Sequence, residues 1–160
     1  MTAVTRDSIS LRKAGIVSIT QQKKGVRFTL DSLLLADFCR IKSTDRALEP
    51  GAGTGIISLL LARKFPKARF VADEVETHAY KLLLLNIEQN GLNEKILPIN
   101  ADIRVLSSSF SPHAFDVIVA NPPYTKSGTG RISPFPDRHL ARQGRIAPID
   151  AWLDLKSLLK

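Results

Sequence analysis

The sequence predicts an α/β domain built on a doubly wound, mostly parallel sheet, and three observations carry that expectation. Short apolar strands alternate with helical stretches of about 10 to 15 residues through the middle of the chain, the pattern of a parallel sheet covered on both faces. A glycine-rich turn, Glu49-Pro50-Gly51-Ala52-Gly53-Thr54-Gly55, separates the first of these strands from its helix. The β-branched run Phe115-Asp116-Val117-Ile118-Val119-Ala120 closes abruptly on Asn121-Pro122-Pro123-Tyr124. Each residue before a proline there is pushed out of helical space, so a buried strand ends and a loop begins at Asn121.

In chain order, residues 1–28 form a β-rich or irregular lead-in, with apolar alternation at Gly15-Ile16-Val17-Ser18-Ile19 and a turn near Lys24-Gly25. A main domain is expected over 29–160. Its first element is a half-buried helix from Asp31 to Cys39, capped by Thr29 or Asp31. Strand Arg46 to Glu49, helix Gly55 to Lys64, strand Ala68 to Ala72 and helix Glu76 to Asn90 follow, the last closed by Gly91 as its left-handed cap. Strands Ile96 to Ile99 and Asp116 to Ala120 complete the alternation. Thr125 to Pro148, rich in Gly, Pro, Ser and Arg, reads as a long loop. A helix after Pro148 places Ile149, Trp152, Leu153, Leu155 and Leu159 on one apolar face.

At 160 residues, with 44% hydrophobic and 24% charged content, the chain is a globular unit of one domain. Cys39 alone excludes an internal disulfide and a cysteine zinc site, and His78, His113 and His139 are too scattered for a metal cluster. No metal site is expected. The start lacks the apolar core of a signal peptide, and runs such as Leu82 to Leu85 are far too short to span a bilayer, which implies a cytoplasmic protein. The net charge of +8 sits in the flanks: nine basic against four acidic residues precede Ala47, and seven against three follow Tyr124. Such flanks serve solubility, and they are also what a polyanion-binding rim around a near-neutral centre looks like.

The glycine turn has Ile56 where a dinucleotide fingerprint would place its last glycine, and it has no P-loop lysine, which argues against a pyrophosphate on the helix N-terminus. Acids surround it instead. Glu49 precedes the loop and suits an ammonium group; Glu74, about 20 residues further on, suits ribose hydroxyls. Asp102 lies beyond the third strand, where a carboxylate can accept from an adenine amino group. Taken alone, each acid is more often a solvated strand-end residue. Their joint placement at the carboxyl ends of successive strands favours a site. Asn121 offers an amide carbonyl, Pro122 a backbone carbonyl and Tyr124 a flat ring. Two acceptors and a stacking surface suit a planar amine whose lone pair is delocalised, although a proline-rich turn is the plain structural alternative.

Together, Glu49-x-Gly51-x-Gly53-x-Gly55, Glu74, Asp102 and Asn121-Pro122-Pro123-Tyr124 resemble the amino-methylating class I S-adenosylmethionine-dependent methyltransferases. Arg27 to Ala36 and Ser127-Gly128 through Ala141-Arg142 further resemble the bacterial family that methylates N6 of an anticodon-loop adenine in a valine tRNA. The resemblance implies a Rossmann-like methyltransferase fold lacking its C-terminal strands, S-adenosylmethionine as cofactor and tRNA or another RNA as partner. It implies that Gly51, Gly53 and Gly55 line the cofactor, with Glu74 on the ribose and Asp102 on the adenine amine. Asn121 and Tyr124 then orient and stack the target base within Asn121-Pro122-Pro123-Tyr124, and Phe28 helps close the site. Pro50, Gly144 after Ala141-Arg142-Gln143, and the end at Lys160 depart from the family pattern. Methylation of a protein glutamine, or a cofactor- or RNA-binding remnant without turnover, are the alternatives. The helix from Pro148 is expected to shield one sheet face without supplying backbone partners, leaving the edge of strand 116–120 open to self-association.

Overall fold

The computed structural model describes residues 3–11, 13–23, 27–122 and 147–160. Strands β1 (Val4–Leu11) and β2 (Gly15–Gln22) form an antiparallel hairpin in register from Val4 opposite Gln22 to Leu11 opposite Gly15. The β-rich expectation for the lead-in is met; Lys24 and Gly25 lie outside the described residues. Helix α1 (Leu30–Phe38) follows with Thr29 as its N-cap, and then the alternation begins: β3 (Arg46–Glu49), α2 (Ile56–Lys64), β4 (Arg69–Asp73), α3 (Thr77–Gln89), β5 (Ile96–Ile99), α4 (Ile103–Ser109) and β6 (Val117–Ile118). The last elements are α5 (Ile149–Leu153) and a 3₁₀ helix (Asp154–Leu158).

The four central strands lie in the order β5-β4-β3-β6, every pair parallel. The chain steps outward from β3 through β4 to β5, then returns to the far side of β3 for β6. That reversal opens a crevice at the carboxyl ends of β3 and β6, where open α/β sheets take their ligands.

Alternation along the strands divides the core into two layers. Ala47, Phe70 and Ala72 point to the face covered by α1, α2, α3 and the hairpin, where Val17, Ile19, Leu59 and Leu83 are fully buried. Leu48 and Val71 point to the opposite face, against Ile103 and Leu106 of α4 and Leu155 and Leu158 of the 3₁₀ helix. The helix α2 is buried from Ile56 to Ala62, packed between the sheet on one side and α1 and β2 on the other.

Three elements differ from the sequence-based expectation. Helix α4 was not expected; Asp102 caps it by accepting from the Arg104 backbone N–H at 2.9 Å. The C-terminal helix is one short α-helical turn followed by 3₁₀, in which three residues make a turn, so Leu155 and Leu158 share the buried side. Ile149 and Leu153, expected on the same apolar face, are 60% and 59% exposed. Finally, the C-terminal segment does supply backbone partners to the strand edge. Phe115 N–H donates to Leu158 O and Lys160 N–H donates to Phe115 O, both at 2.9 Å, and Phe115 bridges Leu159 in parallel. The edge is therefore closed within the chain at Phe115. Phe115 is fully buried, edge-to-face with Phe110 at 5.0 Å, with the Arg46 guanidinium 4.9 Å from its ring centre.

One buried polar side chain joins the layers that carry the glycine turn. Asn86 of α3, with no exposed surface, accepts from Thr20 N–H at 2.7 Å and donates to Thr20 O at 2.9 Å and Thr54 O at 2.8 Å. It ties the hairpin to the loop after β3. Truncating it leaves buried backbone groups unpaired, so Asn86→Ala is expected to destabilise the chain by about 2 to 4 kcal/mol. Urea denaturation measures this, and a loss below about 1 kcal/mol would contradict the assigned role.

Candidate functional site

The glycine turn leaves β3 and enters α2 through three left-handed positions, Gly51, Gly53 and Gly55. Two of them need glycine for different reasons. At Gly51 (φ +63°) a Cβ would stand 2.8 Å from the Trp152 indole of α5, so the turn and the C-terminal helix close-pack only because the side chain is missing. At Gly53 (φ +59°) nothing lies within 4 Å of the Cβ position, which leaves bare backbone facing open space that a ligand can approach.

Three of the turn's backbone donors are already engaged. Ala52 N–H donates to Asp73 O at 2.7 Å, Gly53 N–H to Glu74 Oε2 at 2.8 Å, and Gly55 N–H to Ala52 O at 2.9 Å. A phosphate cradle needs such donors aimed at its ligand. Here they hold the loop onto the end of β4 instead.

Around the turn lie three buried carboxyls, Glu49, Asp73 and Glu74, which are 4%, 1% and 8% exposed. Among the described residues none of the three forms an ion pair. Burial pushes Glu49 and Asp73 up to about 7, against hydrogen bonds from Ser58 and Ala101 that pull them down, with the nearby Glu74 charge adding to the rise. Glu74 is raised by burial as well. Glu49 Oε2 accepts from the Ser58 backbone N–H at 2.8 Å and from the Ser58 hydroxyl, so it locks β3 to the first turn of α2. Glu74 accepts from Gly53 N–H and from Glu76 N–H, both at 2.8 Å, and a carboxylate so bonded retains lone pairs for hydroxyl donors. A cluster of buried carboxyls without cations among the described residues suits a ligand that brings positive charge and hydroxyl groups.

The remaining expected residues are distributed as follows. Asp102 stands at the end of β5, where its carboxylate accepts from Arg104 Nε at 2.8 Å and pairs with the Arg104 guanidinium, which holds it below the usual carboxylate range. Phe28 is half-buried against the core on the α1 side. Asn121 is half-buried after β6 and donates from Nδ2 to Ser32 Oγ of α1 at 3.0 Å. Pro122 is half-buried beside it, while Pro123 and Tyr124 lie outside the described residues. In the parallel register of β3 with β6, Ile118 faces Leu48; Asn121 and Gly51 each lie three residues further on, at the same end of neighbouring strands. The sequence reading missed Asp73, Ser32 and Trp152. Asp73 was legible as the neighbour of Glu74; the other two reach the site only through long-range packing. Among the described residues no group of metal-ligating side chains gathers, and no helix is long and apolar enough to cross a membrane.

Fold and site define an α/β domain that offers a ligand site at the carboxyl ends of a parallel sheet. The Methyltransferase small domain family matches residues 11–135, and the chain belongs to that family. A tRNA1(Val) (adenine(37)-N6)-methyltransferase of Histophilus somni is 36% identical over 137 residues, covering 85% of this chain and 57% of the relative. A protein of the same name from Dyadobacter fermentans is 26% identical over 144 residues, covering 89% and 58%. The chain thus spans somewhat more than half the length of these relatives. Among solved structures, TYW2 of P. horikoshii in complex with MeSAdo superposes with a TM-score of 0.57 at 21% identity, over 71% of this chain and 41% of that one. PKMT2 of Rickettsia typhi in complex with AdoHcy gives 0.53 at 21%, over 76% and 20%. At that identity the likeness is one of fold.

Gly51→Ala adds a methyl against Trp152 at a left-handed position and is expected to cost about 1 to 3 kcal/mol in thermal stability. Because Trp152 is the single tryptophan, its emission should shift in the same variant. The carboxyl cluster sets a pH dependence. Folded Glu49 and Asp73 keep their protons to about pH 7, whereas unfolded carboxyls release them near pH 4. The folded chain therefore binds more protons in that window, and these groups lower stability as pH rises from about 4 to about 7. Glu49→Gln should gain on the parent chain across that range, by up to about 3 kcal/mol in paired urea titrations. A constant difference between the two would refute the assignment.

Proposed function

We propose that this chain carries the cofactor-binding and catalytic part of an S-adenosylmethionine-dependent methyltransferase acting on an exocyclic adenine amine, N6, in tRNA. The observation that supports the reading is the parallel register of β3 with β6, in which the glycine turn and Asn121 both follow the carboxyl ends of neighbouring strands, the ends where Glu49 and Glu74 are buried. The residues fit the cofactor: open backbone at Gly53, a carboxylate at Glu74 with acceptor capacity for ribose hydroxyls, and acids rather than cations facing a ligand that carries ammonium and sulfonium charge. The tRNA substrate follows the names of the Histophilus and Dyadobacter relatives.

When bound, the cofactor supplies a methyl group on positively charged sulfur, with that sulfur as leaving group. The chain's work is to hold and orient. Glu74 takes the ribose hydroxyls while its bond to Gly53 keeps the loop in place; Gly53 allows close approach, and Gly51 and Gly55, packed on Trp152 and Leu83, hold the course of the loop along the cofactor. Glu49 acts through Ser58 on the frame of the loop. Asp102 accepts from the adenine amine of the cofactor, turning part of its carboxylate from Arg104. The Asn121 and Pro122 carbonyls would accept the N–H groups of the target amine and so orient its lone pair for methyl transfer, and the proton the amine sheds on gaining the methyl would leave along one of these hydrogen bonds to solvent. Tyr124 stacks the target base and Phe28 closes the site on the α1 side. An enzyme acting on a stacked base must first take it out of the stack. The basic flanks supply phosphate contacts, and a tRNA substrate places the reaction in the cytoplasm. Pairing of copies through the outer edge of residues 116–120 beyond Phe115 belongs to the same proposal, with sedimentation velocity as its measure.

Asn121→Ala is expected to abolish tritium transfer from the cofactor to bulk tRNA while cofactor affinity stays within about 2-fold by calorimetry; Glu74→Ala should weaken that affinity by about 1 to 3 kcal/mol. Transfer by Asn121→Ala at the parent rate would overturn the role of the loop. Affinity for tRNA should fall steeply with salt as displaced counterions cease to drive binding. Flat salt dependence, with methyl transfer to a glutamine peptide instead, would point to a protein substrate.

A further inference from the structure

The side chain that holds Asn121 comes from the other end of the chain. Asn121 Nδ2 donates to Ser32 Oγ at 3.0 Å across a separation of 89 residues. Ser32 lies in the first turn of α1 and is 6% exposed, on the same buried side as Ala36, four residues on. A hydroxyl on that side costs free energy unless it is hydrogen-bonded. The helix itself is anchored against α2 and, through Lys64, whose ammonium donates to Ala36 O at 3.2 Å. Ser32 is therefore a fixed point against which a loop residue can be set.

An asparagine amide is two-ended: its carbonyl accepts and its NH₂ donates. Only the carbonyl end can receive the N–H groups of a target amine, and a flipped amide would present donors to donors. Pro122 restricts the backbone of Asn121 and does not by itself set its side-chain torsions. The hydrogen bond from Nδ2 ties that side chain to a fixed point on α1, and with the nitrogen turned to Ser32 the carbonyl is turned away from α1. We propose that Ser32 is a positioning residue for methyl transfer, its buried hydroxyl holding the Asn121 amide by Nδ2 so that the carbonyl is oriented for the target amine. This rests on the role proposed above for Asn121. It gives α1, which contributes no group to the chemistry, a direct hold on the catalytic loop.

The test uses the 160-residue chain with Ser32→Ala, Ser32→Thr and Asn121→Ala. Ser32→Ala should lower kcat for tRNA methylation about 10- to 100-fold, the scale of a misplaced reacting group. The KM for tRNA and the calorimetric affinity for S-adenosylhomocysteine should change by less than about 2-fold, and Ser32→Thr, which restores the hydroxyl, should recover most of the rate. A role confined to folding would move thermal stability and cofactor affinity instead. A second readout is independent of turnover: the Asn121 side-chain amide resonances, assigned by their loss in Asn121→Ala, should shift in Ser32→Ala and return towards the parent position in Ser32→Thr. Resonances unmoved in Ser32→Ala, or a parent kcat in Ser32→Ala alongside an inactive Asn121→Ala, overturn the role of Ser32 and leave that of Asn121 standing. Parent activity in Asn121→Ala overturns the reading beneath both.

Discussion

The hydrogen bond from the Gly53 backbone to the Glu74 carboxylate joins the two strand ends on which the site is built. Glu74 sits at the end of β4 and Gly53 in the turn after β3, so this contact sets the loop's height above the sheet. Ala52, bonded to the Asp73 carbonyl, and Glu49, bonded to Ser58, fix the same loop from its other sides. Because three of its N–H groups are spent on protein acceptors, the turn presents shape and carboxyl acceptors where a phosphate loop would present donors. A departure of one glycine from the dinucleotide fingerprint thus goes with a change in the kind of ligand the strand ends can hold.

That arrangement carries a cost of its own. Three carboxyls are buried within one small region, and two hold protons to about pH 7 because no cation among the described residues offsets their burial. Buried charge without a partner is destabilising, and such strain concentrates where a ligand will relieve it. A cationic ligand bearing hydroxyl groups supplies the missing counter-charge. Stability and binding are then linked, since whatever binds only the folded chain also stabilises it.

Much of the frame was legible in the sequence because it is written locally. β3, β4 and β5 announce themselves as short apolar runs, α3 by its Gly91 cap, and the glycine turn by composition. The parallel order with helices on both faces follows from alternation alone. What escaped was decided by contacts distant in sequence or by side-chain direction. Helix α4 has only seven residues, too few to show a helical period in the sequence, although Asp102 stands at its cap. Glu49 turns into the start of α2, a direction no spacing rule reveals. Asp73 was overshadowed by its neighbour Glu74, although adjacent residues at a strand end face different ways. The 3₁₀ turn at Asp154–Leu158 rotates Leu155 and Leu158 into the core and brings the chain alongside Phe115, so the edge is covered there from within. The contacts of Ser32 with Asn121 and of Trp152 with Gly51 join residues that only the folded topology brings together.

The central claim is that the carboxyl ends of β3, β4 and β5, rather than another part of the surface, form the cofactor site. A rival hollow exists at the opposite end of the sheet, about 400 Å³ in volume and bordered by Arg40, Lys42 and Lys160 together with Asp45 and Asp116. Titrating ¹⁵N-labelled chain with S-adenosylhomocysteine and following backbone amide shifts distinguishes the two ends in one experiment. The largest saturable shifts should fall on Gly51 to Gly55, Glu74 to Glu76 and Ala101 to Asp102, with Arg40, Lys42 and Lys160 unmoved. Shifts concentrated at that basic hollow, or none at millimolar ligand, would contradict it.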